Sequence, residues 1–405
     1  MGSFVVLLGV FTASALNFLF QFALARYFSE EDFGVISACF SIIYIALIPI
    51  PTFQTAVTKV VTQHYKEPRV LGTIYKNSLK KFLLGGGIVS LVIICIAPFL
   101  QSFLKIPSIV PLFAIAIFSG FTIANPVNRG FLQGRLRFGS YTFTFILESV
   151  TRILLGILFI LVLRLGITGV FLAVVVASGV TFINAIYSNR DLLQQKESLK
   201  TQTKSTLGTT SFFYFLALGS LTLCYTADVL LVRHYFNEEL AGNYAFASLM
   251  AKIIFWLIEP IIAVLFPYSS IMSQQKKQSR RLLKQAFTIA TVITFPIIIV
   301  FFFAPYTIYT LFPQYVQTAP YIGILGLALL FLSFASMLVN YHLAMNRKNV
   351  FVFPLLAFLS EIIGIIWFSS SVYSVALLLL GIATTLVVAL FLFSIITKTK
   401  EIEVL

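Results

Sequence analysis

The chain has 405 residues, 59% of them hydrophobic and 10% charged, against roughly 25% charged in an average soluble domain. Too few polar side chains remain to cover a soluble fold of this size, which excludes a soluble enzyme, a nucleic-acid binder and a disordered chain. The formal net charge of +14 is then first of all a topology signal for a membrane protein. In chain order, twelve apolar stretches approach the ~20 residues a helix needs to cross the hydrocarbon core. They are 3–25, 33–58, 79–100, 108–132, 140–163, 167–189, 207–232, 240–268, 284–304, 318–343, 350–370 and 372–396. Ala13-Ser14-Ala15 resembles a signal-cleavage site, but no basic segment precedes Phe4 and the apolar run continues to Ala25, so a retained helix is expected. Cys39, Cys95 and Cys224 lie in apolar runs and define no disulfide framework.

Lys and Arg divide unequally between the two sets of connections. One set, from Lys59 through Arg129, Arg190, Lys276 and Arg347 to Lys400, carries 22; the other carries Arg26, Lys105, Arg164 and Arg233. A miscounted helix would invert this bias downstream, so the alternation supports twelve spans and places both termini in the cytoplasm, in a multi-pass arrangement. Lys276 to Lys284 could also meet anionic lipid.

The two halves repeat. Ser29-Glu30-Glu31-Asp32-Phe33-Gly34 and Asn237-Glu238-Glu239-Leu240-Ala241-Gly242 are offset by 208 residues, and Ala97-Pro98 recurs as Ala304-Pro305. The expected organisation is all-α: an N-terminal six-helix bundle at 1–190, a cytoplasmic linker at 191–206, a C-terminal six-helix bundle at 207–397 and a cytoplasmic tail at 398–405. Parallel repeats are an architecture of transporters that expose a site alternately to the two sides.

Charges inside spans cost a few kcal/mol each on insertion scales and mark candidate sites. Glu148 and Arg152 are one turn apart on span five, as a self-neutralising pair or as an arginine held toward a cavity by its carboxylate. Span eight carries Tyr244, Ser248, Lys252 and Glu259 in one stripe. Lys252 and Glu259 are about 10 Å apart along the axis, so Lys252 needs another carboxylate or an anionic ligand. Pro260 is expected to break the helix ladder beside Glu259. Asp228 reads as an interfacial pair with Arg233 or as part of a cation-coupling site. Glu361 has no charged neighbour within a turn, so a neutral carboxyl is the cheap solution. Asn17 and Gln21 form a polar stripe on span one, suited to sugar hydroxyls or to holding helices together. Pro49, Pro51 and Pro260 are candidate hinges. No P-loop or metal-ligand spacing occurs, and Gly85-Gly86-Gly87 reads as close helix packing.

The stretch Asn17-Phe18-Leu19-Phe20-Gln21-Phe22-Ala23-Leu24-Ala25-Arg26 with Ser29 to Gly34 resembles the opening of the oligosaccharide flippases. Asp228-Val229-Leu230-Leu231-Val232-Arg233-His234 with Gly242-Asn243-Tyr244-Ala245 is similar to their middle. These form the polysaccharide-transport (Wzx-like) branch of the multidrug/oligosaccharidyl-lipid/polysaccharide (MOP) exporter superfamily. The resemblance implies a MATE-like fold in a bacterial inner membrane. It also implies export of an isoprenoid phosphate- or pyrophosphate-linked oligosaccharide for surface polysaccharide such as the O-antigen of lipopolysaccharide. Basic cavity residues would hold the anionic head. Arg26, Arg152 and Lys252 are expected on the phosphate side, with Asn17, Gln21, Tyr244 and Ser248 along the path. Glu148, Asp228, Glu259 and Glu361 are expected to balance charge or couple ions. No catalytic residue, metal or cofactor is expected; a proton or sodium gradient is the expected energy input. Expected partners are the lipid-linked oligosaccharide, membrane lipids and the glycosyltransferases and polymerase of the same pathway, with no nucleic acid. The rival readings are a multidrug cation antiporter, an intramembrane glycan polymerase and a scaffold for glycosyltransferases.

Overall fold

In a computed structural model the protein is described at residues 2–195, 209–271, 276–345, 347–368 and 370–403, and these are helical throughout, with no strand among them. The first half contains α1 (Gly2–Tyr27), α2 (Glu30–Leu47), α3 (Ile50–Gln63), α4 (Pro68–Phe103), α5 (Val110–Thr122), α6 (Asn125–Gly134), α7 (Phe138–Gly156), α8 (Gly166–Ser188) and the short α9 (Arg190–Leu193). The second contains α10 (Thr209–Cys224), α11 (Ala227–Tyr235), α12 (Glu238–Ile271), α13 (Lys276–Phe303), the short α14 (Tyr306–Tyr309), α15 (Ala319–Ala344), α16 (Val352–Phe368) and α17 (Val372–Glu403). Among the described residues eleven helical segments, α2 with α3 and α5 with α6 each counting as one, are long and apolar enough to cross a membrane, and the bent pair α10–α11 makes a twelfth. They correspond one to one with the twelve expected spans.

Local chemistry sets the ends. Proline occupies the first or second helical position of α3, α4, α5 and α6, where its missing N–H costs nothing. The repeated motif supplies matched N-caps: Ser29 Oγ accepts from the Asp32 N–H (3.2 Å), and Asn237 Oδ1 from the Leu240 N–H (2.7 Å). Pro49 caps α3 at a break after Leu47, whereas α12 runs unbroken through Pro260. Pro260 has no N–H to donate and so removes one bond from the ladder, but that loss does not end the helix.

The chain divides into two compact units. The first comprises residues 1–24 and 42–211, the second 25–41 and 212–405, so the front of α2 groups with the C-terminal half. Of the expected linker, residues through Gln195 fold in the first unit, and 196–208 lie outside the described residues.

Inside the first unit, Val61, Leu71, Tyr75, Val127, Phe131 and Leu192 form a dry core, and the Tyr75 hydroxyl donates to Asn128 Oδ1 at 2.7 Å. Arg135 and Arg137 clasp Asp191 and so tie down α9. Burial pushes the Asp191 carboxyl up, but the hydrogen-bonded Arg135 guanidinium outweighs it and holds it below its ordinary value. The clasp is therefore present above the ordinary aspartate range and lost as pH falls through that lowered value.

In the second unit α15 is buried on most of its faces, packed by α12 and α17. Outward surfaces of both units are apolar, as Leu84, Ile88, Val292 and Phe295 illustrate, as hydrocarbon requires.

The repeat-related glycines Gly34 and Gly242 meet in the second unit. A methyl group on Gly242 would stand 1.9 Å from the Glu30 carbonyl oxygen, a backbone atom that cannot swing away. Gly242→Ala is expected to cost about 1–3 kcal/mol through overpacking. Gly85→Ala, whose methyl meets nothing within 4 Å, should be neutral or slightly stabilising. Thermal unfolding in detergent compares the two.

Candidate functional site

Each unit buries one cluster of charge. In the first, α6 contributes Arg129, α7 contributes Thr144, Glu148 and Arg152, α8 contributes Ser178 and α1 contributes Asn17. Glu148 and Arg152 form the expected one-turn pair, Arg152 Nη2 to Glu148 Oε1 at 2.7 Å. Arg129 is a second arginine on the same carboxylate, Nη2 to Oε2 at 2.8 Å. Ser178 Oγ donates to Glu148 Oε1 (3.2 Å), Arg129 Nε to Thr144 Oγ1 (3.2 Å) and Arg152 Nη1 to Asn17 Oδ1 (2.9 Å). The Arg129 guanidinium also lies over the Phe145 ring, 3.8 Å from its centroid. Side-chain exposures of Arg129, Glu148 and Arg152 are 11%, 16% and 13%, so little water screens them. Two guanidinium groups against one carboxylate leave a surplus positive charge, and Arg152 Nε is buried with no hydrogen-bond partner among the described residues. A turn further along α1, Gln21 Nε2 donates to the Tyr44 hydroxyl at 2.6 Å, which extends a polar lining from Asn17.

The second unit holds a second cluster of ionisable groups. The span of α10 and α11 bends by 41° at Tyr225-Thr226, which places Asp228 in the first turn of α11. That is a helix start, where free N–H groups favour a carboxylate. Tyr244 OH donates to Asp228 Oδ2 at 2.7 Å and Ser248 Oγ to the same atom at 3.5 Å. Asp228, Glu361 and Lys252 are 2%, 1% and 7% exposed, and Lys252 forms no ion pair with either carboxyl among the described residues. Asp228 Oδ1 and Glu361 Oε1 have no hydrogen-bond partner among the described residues. Both residues line a cavity of about 20 Å³ with Cys224, Ala328, Ala383 and Leu386, room for one water or one small ion. Two carboxyls and one amine therefore share this buried region, and counted as fully ionised they would carry one surplus negative charge.

Other candidate residues lie elsewhere. Arg26 is exposed at the end of α1 and donates to the Leu311 carbonyl, a structural tie in the second unit. The expected Asp228–Arg233 pair does not form; buried Arg233 turns to Glu238 (3.5 Å). Glu259 is exposed while Lys252, two turns earlier on the same helix, is buried. Tyr244 and Ser248 point at Asp228, and Lys252 belongs with the carboxylates of the second unit, apart from Arg152 in the first.

The model of the family described as "Polysaccharide biosynthesis protein" matches residues 23–320. The chain belongs to that family. No curated protein matches the chain. Among solved structures it is similar to an inward-facing multidrug resistance MATE family transporter of the MOP superfamily (TM-score 0.77, 13% identity, 96% of each chain covered). The outward-facing conformation of such a transporter gives 0.71 at 13% identity, covering 98% of this chain and 94% of that one. MATE in complex with MaL6 gives 0.69 at 14%, covering 98% and 96%. At these identities the likeness establishes the MATE fold. The family match takes in Arg129, Glu148, Arg152, Asp228 and Lys252, so charged residues of both clusters lie within the matched part of the chain. Sequence reasoning missed Arg129, counted among the loop cations at the exit of span four. The available signal was its depth: Arg129 precedes the Gly134-Arg135 exit by more than a turn, inside α6.

Proposed function

We propose that this membrane protein is a flippase. It would move an isoprenoid phosphate- or pyrophosphate-linked oligosaccharide from the cytoplasmic to the outer leaflet by alternating access, for surface polysaccharide synthesis. The observation that carries the reading is the surplus positive charge of Arg129, Glu148 and Arg152 inside membrane-spanning helices. An uncompensated cation in hydrocarbon is costly, and an anionic ligand that completes it regains that cost. A phosphate fits two guanidinium groups. Asn17, Gln21 and Tyr44 supply amides and a hydroxyl for sugars. The Asp228–Lys252–Glu361 cluster is the coupling element in this reading, its spare oxygens taking up a proton or sodium ion. An anionic head leaving a negative-inside cell also gains about 2.3 kcal/mol per charge per 100 mV. Family and fold are those of transporters, so no catalytic residue is assigned. The basic connections face the cytoplasm in this reading.

The test is flipping of a fluorescent polyprenyl-diphosphate oligosaccharide in proteoliposomes. Flipping that falls in Arg129→Gln/Arg152→Gln, with the protein still folded, supports the reading. Undiminished flipping in that variant overturns the site. Transport of organic cations in place of the lipid-linked sugar overturns the function in favour of a multidrug antiporter.

A further inference from the structure

Close packing explains only the middle of Gly85-Gly86-Gly87. A Cβ on Gly86 would stand 2.1 Å from the Gly120 carbonyl oxygen, so α4 and α5 touch there. Side chains at Gly85 and Gly87 would meet nothing within 4 Å. Gly87 instead lines an apolar groove of about 660 Å³ along α4, with Lys76, Lys80, Leu83 and Leu91, and with Leu193 of α9 as the opposite wall. The Asp191 clasp on Arg135 and Arg137 holds that wall in place.

The groove is apolar along its length and cationic at one end. Lys76 Nζ donates to the Gln195 carbonyl at 2.8 Å, which turns its charge toward α9, and Lys80 is exposed. Neither lysine is in an ion pair among the described residues. From Lys80 to Leu91 the helix rises about 16 Å, half of the ~30 Å hydrocarbon core. The groove thus begins at headgroup level and ends within one leaflet. A polyisoprenoid long enough to reach across both leaflets would outrun it. The residues that follow Gln195, Lys196 to Gly208, are too polar and basic to fill it.

We propose that this groove is a binding site for one anionic glycerophospholipid. The phosphate meets Lys76 and Lys80, and an acyl chain lies along the trough that Gly87 leaves open toward Leu91. The lipid neutralises two lysines that have no carboxylate partner and packs α4 against α9. The site is independent of the substrate reading above, because none of its residues belongs to either buried charge cluster.

The experiment is native mass spectrometry of the full chain released from vesicles of phosphatidylglycerol and phosphatidylethanolamine in equal parts. One retained phosphatidylglycerol is expected. Lys76→Gln/Lys80→Gln should weaken retention by roughly fivefold per lysine. Gly87→Trp should abolish it by filling the trough, with both charges intact. Lys59→Gln/Lys66→Gln, the same charge change outside the groove, should leave it unaltered. Equal retention of both lipids, or retention unaffected by Gly87→Trp and by the double lysine change, would overturn the proposal. So would displacement of phosphatidylglycerol by added polyprenyl phosphate, which would make the occupant a carrier lipid. Retention seen only after deletion of residues 196–208 would assign the groove to that linker and overturn it equally.

Discussion

Glu148→Gln is expected to destabilise the protein by about 3–5 kcal/mol, because it breaks a buried ion-paired network and strands two cations. Arg129 and Arg152 have 11% and 13% of their side chains exposed, and Glu148 is the carboxylate both of them contact. Glutamine keeps the shape and one acceptor but removes the charge that offsets two guanidinium groups. Arg152→Gln behaves differently. It leaves Arg129 paired with Glu148, a neutral unit, and should cost under about 1 kcal/mol in stability, within the range of a lost net hydrogen bond. Yet it removes the surplus charge, so flipping should fall about 10- to 100-fold, the equivalent of a charged hydrogen bond of ~1.5–3 kcal/mol. Glu148→Gln/Arg129→Gln restores the original net charge and should recover most of the stability lost in Glu148→Gln. Thermal unfolding in detergent, read beside flipping in proteoliposomes, separates the two effects. A Glu148→Gln variant that melts like the parent would show that the three residues are not a charge-compensated unit.

The sequence is most legible where a single helix decides the outcome. Hydropathy located the spans because each must be about 20 apolar residues long whatever its neighbours are. The Glu148–Arg152 pair was legible for the same reason: both partners are on one helix, one turn apart. The acidic residues buried in the same unit as Lys252 were not, because Asp228 and Glu361 come from α11 and α16, far away in the chain. A polar stripe on α12 says that a face avoids lipid, without saying what meets it. The break in span seven was hidden as well. It falls at Tyr225-Thr226, with no glycine or proline to mark it, where Thr226 leaves helical geometry (φ −128°, ψ −32°) and its hydroxyl bonds back to the Thr222 carbonyl at 2.7 Å. Without that break Asp228 reads as an interfacial residue; with it, Asp228 becomes a buried carboxylate at a helix start.

Asp228→Asn is expected to abolish the dependence of transport on an imposed ion gradient. The side chain accepts from Tyr244 at 2.7 Å and turns its second oxygen, which has no partner, toward a cavity sized for one water or ion. Asparagine keeps the acceptor for Tyr244, so folding should change by less than about 1.5 kcal/mol, the net worth of a typical hydrogen bond. It also removes the carboxylate at the helix start, and a site without that charge has lost the group that would attract a cation. Lys252→Met changes the balance in the other direction. Two buried carboxylates then face each other without an ammonium, and stability should fall by about 3 kcal/mol, the lower end for removing one partner from a buried charged group. Lys252→Met/Glu361→Gln, with Asp228 as the one carboxylate left, should regain most of that loss and retain gradient dependence. Flipping measured with and without a proton or sodium gradient distinguishes these variants, with thermal unfolding as the control for folding. If Asp228→Asn flips its substrate with the parent's full gradient dependence, the coupling role assigned to this cluster is wrong, and its charges serve only to hold α11, α12 and α16 together.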